Sequence, residues 1–570
     1  MVSYKISYND VLSILNLPQG TTVEALDDLF SYAKCEIEEH DLDDDLLKID
    51  CKTSNRPDCW GVEGLTREVK GITGEKSGLP DISAEPSGYV IKVDPRLKTV
   101  RPYIGAAIIR GLSFSDFLIK QIMQLQEKVD FSYGRKRKRS SIGIYNLGMV
   151  ESPIQYDLTP RSTAFVPLGY EKKLTLSQIL SQHEKGIEYG DIFPKKGDLP
   201  ILRDHRGVVL SMPPIINSND VGRITEETTD VLVEVTGTNL EVVNAVTTII
   251  TQALRDRGGK AYSVEIQYPP KYLDTSEIQI TPNTEPFELT INPKDIEKYL
   301  NLNLKPADMV KLLQKRRFDV VKKKNSLLIK YPPYRVDLLH WVDIAEEIAM
   351  AYGYMNIEPT KWKVMTIGHL SKRSISENYV REILSGCALQ EVLTFTLTAP
   401  EKIADFMGQK QENLKNNVHI ANPVSLTYSV LRSRLLPNLL DFLSRNTHNE
   451  YPQYIFEVGE VVKKNQKSVI TFTKTAAVLT DADISFENAH SILDSLATQL
   501  GITIVLEALV DSEFLEGRTA KILHKDKQIG IIGEISPAIL EKWQIYMPAV
   551  AFEIDLSMIP TLDLPPLSTS

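Results

Sequence analysis

The chain has 570 residues, of which 42% are hydrophobic and 25% charged, with a formal net charge of −10 at pH 7. At roughly 100–200 residues per domain this length calls for several folded domains. The composition excludes a long disordered polymer, which carries fewer apolar residues and more net charge, and the acidic balance excludes a sequence-independent nucleic-acid coat.

Four cysteines, Cys35, Cys51, Cys59 and Cys387, show neither a disulfide framework nor C-x-x-C spacing, so free thiols in a reducing compartment are expected. The N-terminal stretch has no basic region leading into an apolar one, and no window of about 18 apolar residues occurs. A cytoplasmic protein without a membrane span is expected.

Four segments follow in chain order. The first, 1–90, has a helix starting near Asn55-Arg56-Pro57-Asp58, with Val62, Leu65, Val69 and Ile72 at three- and four-residue steps. Pro57 sits just ahead of it, where its fixed φ does little harm. Residues 78–88, rich in Gly and Pro, read as a linker. In the second segment, 98–270, β-rich runs at 104–109, 207–211 and 231–236 alternate with helical patterns such as 240–254, which is α+β or mixed α/β material.

The third segment, 285–358, has a strand at 287–291, then Asn292 to cap and Pro293 to start a helix with Ile296 and Leu300 inward. Pro306 opens a second helix with Met309, Leu312 and Leu313 inward, and 319–331 reads as a hairpin turning at 322–325. Two short helices and a hairpin suggest a winged-helix-like module. In the fourth, 362–560, a helix at 377–384 leads to a strand at 392–398, another helix follows Ser429, a strand lies at 454–461, and the Pro-rich tail after Leu556 reads as irregular.

Three clusters are candidates for chemistry. Asp337, Asp343, Glu346 and Glu347 are acidic, and the last three fall at i, i+3 and i+4, which on a helix is one face. Such a group suits Mg2+, and equally it suits acids that complement the helix dipole. The run Arg135-Lys136-Arg137-Lys138-Arg139 either meets phosphates or is a solvated loop. Glu234 and Thr236, two apart on a strand, share a face, and Leu202 and Ser211 lie in neighbouring β-rich runs. An ordinary half-buried sheet explains this third set equally well. No P-loop, G-x-G-x-x-G, H-E-x-x-H or G-x-S-x-G is present, so no self-contained catalytic apparatus is visible.

Long phrases in fixed order then carry a family resemblance: NRPDCWGVEGLTREVKGI (55–72), RPYIGAAIIRGL (101–112), GRKRKRSSIGIYNL (134–147), LSMPPIINSNDVGRIT (210–225), DVLVEVTGT (230–238), PPYRVDLLHWVDIAEEIAMAYGYMNI (332–357), VLRSRLLPNLLDFLSRN (430–446) and YIFEVGEV (454–461). Over nearly its whole length the chain resembles the beta subunits of phenylalanyl-tRNA synthetases, in their shorter archaeal and eukaryotic-cytosolic form.

The resemblance implies an α+β multidomain fold. It comprises an N-terminal α/β domain, a mixed α/β tRNA-editing domain, a winged-helix-like Mg2+-binding domain and a degenerate class II synthetase domain with an antiparallel sheet and helices. It implies an alpha subunit as partner in an α2β2 tetramer, tRNA-Phe as substrate, and ATP bound on the alpha subunit. It places Mg2+ ligands on Asp337, Asp343, Glu346 and Glu347. It places an editing pocket for mischarged Tyr-tRNA-Phe at Leu202, Ser211, Glu234 and Thr236. In that pocket Glu234 is expected to meet the tyrosyl hydroxyl, Leu202 to pack the ring, and Ser211 and Thr236 to place the ester and a water.

Within the fourth segment Arg432 and Arg434 lie outside the 454–461 strand, and VAFEIDL (550–556) carries no arginine. An inactive ligase fold used for assembly is therefore expected, because nothing there offsets the charge of adenylate formation. Two alternatives are an editing-inactive tRNA-binding scaffold of the same complex and an independent metal-dependent hydrolase.

Overall fold

The computed structural model describes residues 2–361, 364–465, 468–559, 562 and 567–569. The chain divides into two compact units, Met1–Thr360 and Lys361–Ser570. The architecture is mixed α/β, with several separate sheets.

The first unit opens with a three-stranded antiparallel sheet in which Val2–Ser7 and Cys35–Asp41 flank Leu46–Cys51. Alternate residues Leu47, Ile49 and Cys51 are fully buried, as the period of two in a strand requires. The helix Val62–Ile72 follows a short 3-10 turn at Pro57–Cys59. Its expected apolar stripe is inward, with Val62, Leu65 and Val69 at 1% exposure or less. The opposite face is buried too: Glu63, Arg67 and Glu68 are 1%, 6% and 1% exposed. At Gly71 a Cβ would stand 2.2 Å from the Lys315 carbonyl, so only glycine lets this helix press against the end of the helix Pro306–Lys315.

Those buried charges neutralise one another. Arg56 binds Asp58 at 2.7 Å and Glu68 at 3.0 Å. Arg316 binds Glu68 at 3.0 Å and Glu347 at 2.6 Å, and also donates to the Tyr32 carbonyl at 3.0 Å. Arg335 bridges Glu347 at 2.7 Å and Asp337 at 2.8 Å. Arg67 pairs with Asp256, and Arg257 with Glu63 at 2.7 Å and Asp10 at 2.8 Å.

A ten-stranded sheet forms the next layer, with Tyr103–Arg110, Val231–Gly237 and Ser140–Asn146 adjacent and antiparallel. The expected β-rich runs are strands, and Asn239 caps the helix Leu240–Asp256 by accepting the Val242 N–H. The stretch read as a linker ends differently. Glu85–Val93 is an inner strand, parallel to both Lys260–Gln267 and Ile154–Thr159. Pro86, Ser87 and Gly88 are turn formers by propensity. Here a register shift absorbs them, with Gly88 at φ +77° and Ser87 Oγ donating to the Ser263 carbonyl at 2.6 Å.

The strands and helices expected in the third segment are present. Phe287–Ile291, Asp319–Lys322 and Leu327–Tyr331 form a sheet, with the helices Pro293–Leu300 and Pro306–Lys315 between its first two strands. Asn292 accepts the Lys294 N–H as the cap, and Ile296, Met309 and Leu313 are fully buried.

In the second unit an eight-stranded sheet, antiparallel except for one short edge strand, is built on the long strands Gln453–Asn465 and Ser468–Thr480. Leu384, Leu493 and Phe552 belong to one core cluster, and Leu439, Leu440 and Trp543 to another. The expected strand at 392–398 is not continuous: only Gln390–Glu391 and Leu397–Thr398 pair, in different sheets. Of the tail, Leu567–Thr569 pairs with Ser468–Thr480 rather than being irregular, while Pro560, Pro565 and Pro566 lie outside the described residues.

Breaking one partner of a buried pair strands its counter-charge. Arg316→Met is expected to lower unfolding stability by about 3–5 kcal/mol, read as a loss in denaturant midpoint. A loss below about 1 kcal/mol contradicts the burial of this network.

Candidate functional site

Glu234 lies on the strand Val231–Gly237 opposite Ala106 on one side and Gly143 on the other, and is 2% exposed. Its Oε2 accepts the Tyr145 hydroxyl at 2.7 Å, and the same hydroxyl stands 2.8 Å from Ser211 Oγ. Its Oε1 is buried without a protein partner. Glu234 and Ser211 both line a cavity of about 300 Å3 whose wall includes Arg137, Ser141, Ile142, Pro213 and Ile215. Burial pushes the Glu234 carboxyl up to about 7, while the Tyr145 hydrogen bond, the Arg101 charge and the nearby Thr236 hydroxyl pull it down. A group titrating there is available as an acceptor or as an acid at neutral pH.

The other two members of the expected set do not line the cavity. Leu202 is fully buried, paired in register with Ser211, and its side chain belongs to the core cluster that holds Tyr145. Thr236 is fully buried beneath the site. Arg101 Nε donates to its hydroxyl at 2.9 Å, and Arg101 Nη2 donates to its carbonyl at 2.6 Å and to Ser141 Oγ at 3.0 Å. Tyr145, Arg101 and Gly143 were not singled out by sequence. They lie in the strands neighbouring Glu234, or at their ends, and their signal is cross-strand register rather than spacing along the chain.

The basic run splits. Arg135, Lys136 and Arg137 are consecutive left-handed residues, at φ 50°, 52° and 62°. Backbone bonds from Lys136 to Phe131 and from Arg137 to Asp130, at 2.9 and 3.0 Å, hold this costly turn. It turns Arg137 inward. Its Nη1 donates to the Pro214 and Ile215 carbonyls at 3.0 and 2.9 Å, and its guanidinium stacks 4.4 Å from the Tyr189 ring centre. Arg135, Lys136 and Lys138 are exposed, with Arg139 half-buried. Of the five basic residues three are exposed, while Arg137 is spent on the cavity wall.

The acidic cluster also separates. On the helix Trp341–Tyr352, Asp343 folds back to accept the Leu339 and His340 N–H groups, both at 2.7 Å. Glu346 is exposed and pairs with Lys34. Glu347 is buried between Arg316 and Arg335, which hold its carboxyl well below the usual range against the desolvation that raises it. Asp337 takes both oxygens to Arg335, at 2.8 and 2.9 Å. Helical spacing put three of these on one face, but arginines brought in from elsewhere in the chain compensate two of the four individually. Among the described residues no group of three or more His, Cys, Asp or Glu side chains is arranged to hold a metal ion. As placed, the four carboxylates do not fit a Mg2+ cage.

In the second unit the two arginines that lie outside the 454–461 strand are both paired. Arg432 is buried on Glu457 at 2.7 Å, and Arg434 binds Glu513 at 2.6 Å.

A profile described as "tRNA synthetase B5 domain" matches residues 289–354, and one described as "Phenylalanyl tRNA synthetase beta chain CLM domain" matches 357–556. The chain is 41% identical over 541 residues to the phenylalanine–tRNA ligase beta subunit of Pyrococcus furiosus, covering 94% of this chain and 96% of that one. It is 40% identical over 567 residues to that of Thermococcus gammatolerans, covering 98% of each. The chain belongs to the phenylalanine–tRNA ligase beta subunit family. An N-terminal fragment of the phenylalanyl-tRNA synthetase beta subunit from Pyrococcus horikoshii is 37% identical, with a TM-score of 0.59. The match covers 62% of this chain and all of that one. As in the sequence reading, no helix among the described residues is long and apolar enough to cross a membrane.

Two expectations follow for this family member. Because the folded Glu234 carboxyl lies near 7 against an ordinary 4.5, its ionisation burdens the fold as pH rises through that window. Glu234→Gln is expected to be more stable than the natural chain by on the order of 3 kcal/mol at pH 8, with the difference vanishing below about pH 4.5, by denaturant titration at both pH values. Because arginines, Lys34 and backbone N–H groups already engage the four acids, EDTA is expected to shift the thermal midpoint of the chain by less than about 1 °C. A site filled at a hundred times its Kd stabilises by about 2.7 kcal/mol and moves the midpoint by far more.

Proposed function

We propose that this beta subunit hydrolyses mischarged Tyr-tRNA-Phe within an α2β2 cytoplasmic complex whose alpha subunit, using ATP and Mg2+, performs the ligation. The observation that carries the editing reading is that Glu234, a residue lining the cavity, has a buried Oε1 without a hydrogen-bond partner. A synthetic pocket shaped for phenylalanine rejects one added hydroxyl by only about a hundredfold. A second site that must hydrogen-bond that hydroxyl discriminates by about ten-thousandfold, because a phenylalanyl ring leaves a buried acceptor empty.

In this reading Glu234 Oε1 accepts the tyrosyl hydroxyl and Ser211 faces the bound residue. Thr236 and Arg101 form the floor rather than touching the ester, and Leu202 backs Ser211 from the core. Arg135, Lys136 and Lys138 supply phosphate contacts near the cavity that holds Arg137, with affinity that falls as salt rises. The paired Arg432 and Arg434 support an assembly role for the second unit, since committed guanidiniums do not grip ATP.

The deciding experiment incubates the co-expressed complex with Tyr-tRNA-Phe. Natural complex is expected to deacylate it, and Glu234→Ala to lose at least about a hundredfold in rate with aminoacylation unchanged. Equal deacylation by both, or none by the natural complex, rejects the editing reading and leaves the tRNA-binding scaffold.

A further inference from the structure

The Tyr145 hydroxyl touches Ser211 Oγ at 2.8 Å and Glu234 Oε2 at 2.7 Å. A phenol has one proton, so it donates to one neighbour and accepts from the other. An ionised carboxylate only accepts. With Glu234 ionised the order is fixed: Ser211 donates to Tyr145, and Tyr145 donates to Oε2. That oxygen is then spent, and Oε1 is the acceptor left for a ligand.

Two features hold this arrangement. Tyr145 is fully buried in the core cluster with Ile104, Ala106 and Leu202, and burial drives its hydroxyl well above its ordinary range, so it stays neutral. Gly143 lies opposite Glu234, and a Cβ there would stand 2.3 Å from the Tyr145 hydroxyl and 2.5 Å from Glu234 Oε2. The strand therefore admits the pair only because position 143 lacks a side chain. Other charged or titratable groups near Glu234 are Arg101, just before the Tyr103–Arg110 strand, Tyr156 on Ile154–Thr159, and Asp130 at the end of the helix Asp116–Phe131, and Glu127, Arg137, Lys185 and Arg223 share the cavity wall with it.

We infer that Tyr145 is the positioning residue that sets the specificity of this pocket. By occupying Oε2 it keeps Glu234 an acceptor with a single free oxygen, so that the cavity takes a side chain ending in a hydroxyl donor and not one ending in hydrogen. This assignment rests on the hydrolytic reading above. Tyr145 does not touch the ester and takes no part in bond cleavage.

The test uses the complex with its alpha subunit and measures deacylation of Tyr-tRNA-Phe and Phe-tRNA-Phe from pH 6 to 9, less the enzyme-free rate. In the natural complex kcat/KM for Tyr-tRNA-Phe is expected to rise through about pH 7, where Glu234 ionises. Tyr145→Phe removes the internal donor. KM for Tyr-tRNA-Phe is then expected to rise about tenfold with kcat within about twofold, the preference over Phe-tRNA-Phe to fall to match, and the pH rise to move above about 8. Gly143→Ala, which displaces the pair with both groups intact, should repeat this pattern. Ser211→Ala, which leaves the Tyr145–Glu234 bond, should keep the natural pH profile. Natural complex that is active and Glu234-dependent, with unchanged KM and pH profile in Tyr145→Phe, overturns the role of Tyr145 alone. A fall in kcat without a pH shift makes Tyr145 merely structural and overturns it as well. Natural complex that does not deacylate, or does so without Glu234, removes the hydrolytic reading and this inference with it.

Discussion

The first unit depends on the ion pairs around the helix Val62–Ile72. Its apolar stripe fills a core, as for any amphipathic helix, but its charged face is buried as well, and burying a charge costs several kcal/mol unless it is paired. Glu63 and Arg67 face Arg257 and Asp256 at the C-terminal end of the helix Leu240–Asp256. Glu68 meets Arg316 at the end of the helix Pro306–Lys315. One helix thus fixes two other parts of the unit, because each must present a complementary charge at one place. Pairs of this kind contribute little net stability. Their effect lies in penalising every arrangement that leaves one charge alone.

The same constraint accounts for the acidic cluster. Four carboxylates close in sequence invite a cation. Two of them instead receive guanidiniums that enter with the fold, one from the end of the helix Pro306–Lys315 and one from just before Asp337. Asp343 is used on backbone N–H groups at its own helix start, and Glu346 reaches Lys34.

The cavity follows an opposite logic. At Glu234 the protein buries a carboxylate with one oxygen satisfied and one not. A half-satisfied buried acid is a local cost, and burial drives its titration toward neutrality. Arg101 and Arg137 do not cancel it. Arg101 is spent on Thr236 and Ser141, and Arg137 on two carbonyls and the Tyr189 ring.

Local patterning decided much of this in advance. Asn292-Pro293 and Pro306 mark helix starts through chemistry confined to one turn, and the alternation in 231–236 marks a strand, so both are legible along the chain. Ordered phrases indicated the family, and the resemblance put Glu234 and Ser211 in one expected site. Partnership was not legible. A sequence shows that Arg137 is basic, not that three left-handed residues turn it inward. It shows three acids at helical spacing, not that Arg316 and Arg335 arrive to take one of them. It shows Pro-Ser-Gly as a turn, not that a register shift admits it to an inner strand. The periods of helix and strand are set by bonds between near neighbours, whereas charge pairing, Tyr145 on Glu234, and the room left by Gly143 depend on residues brought together from distant positions, which only the tertiary structure decides.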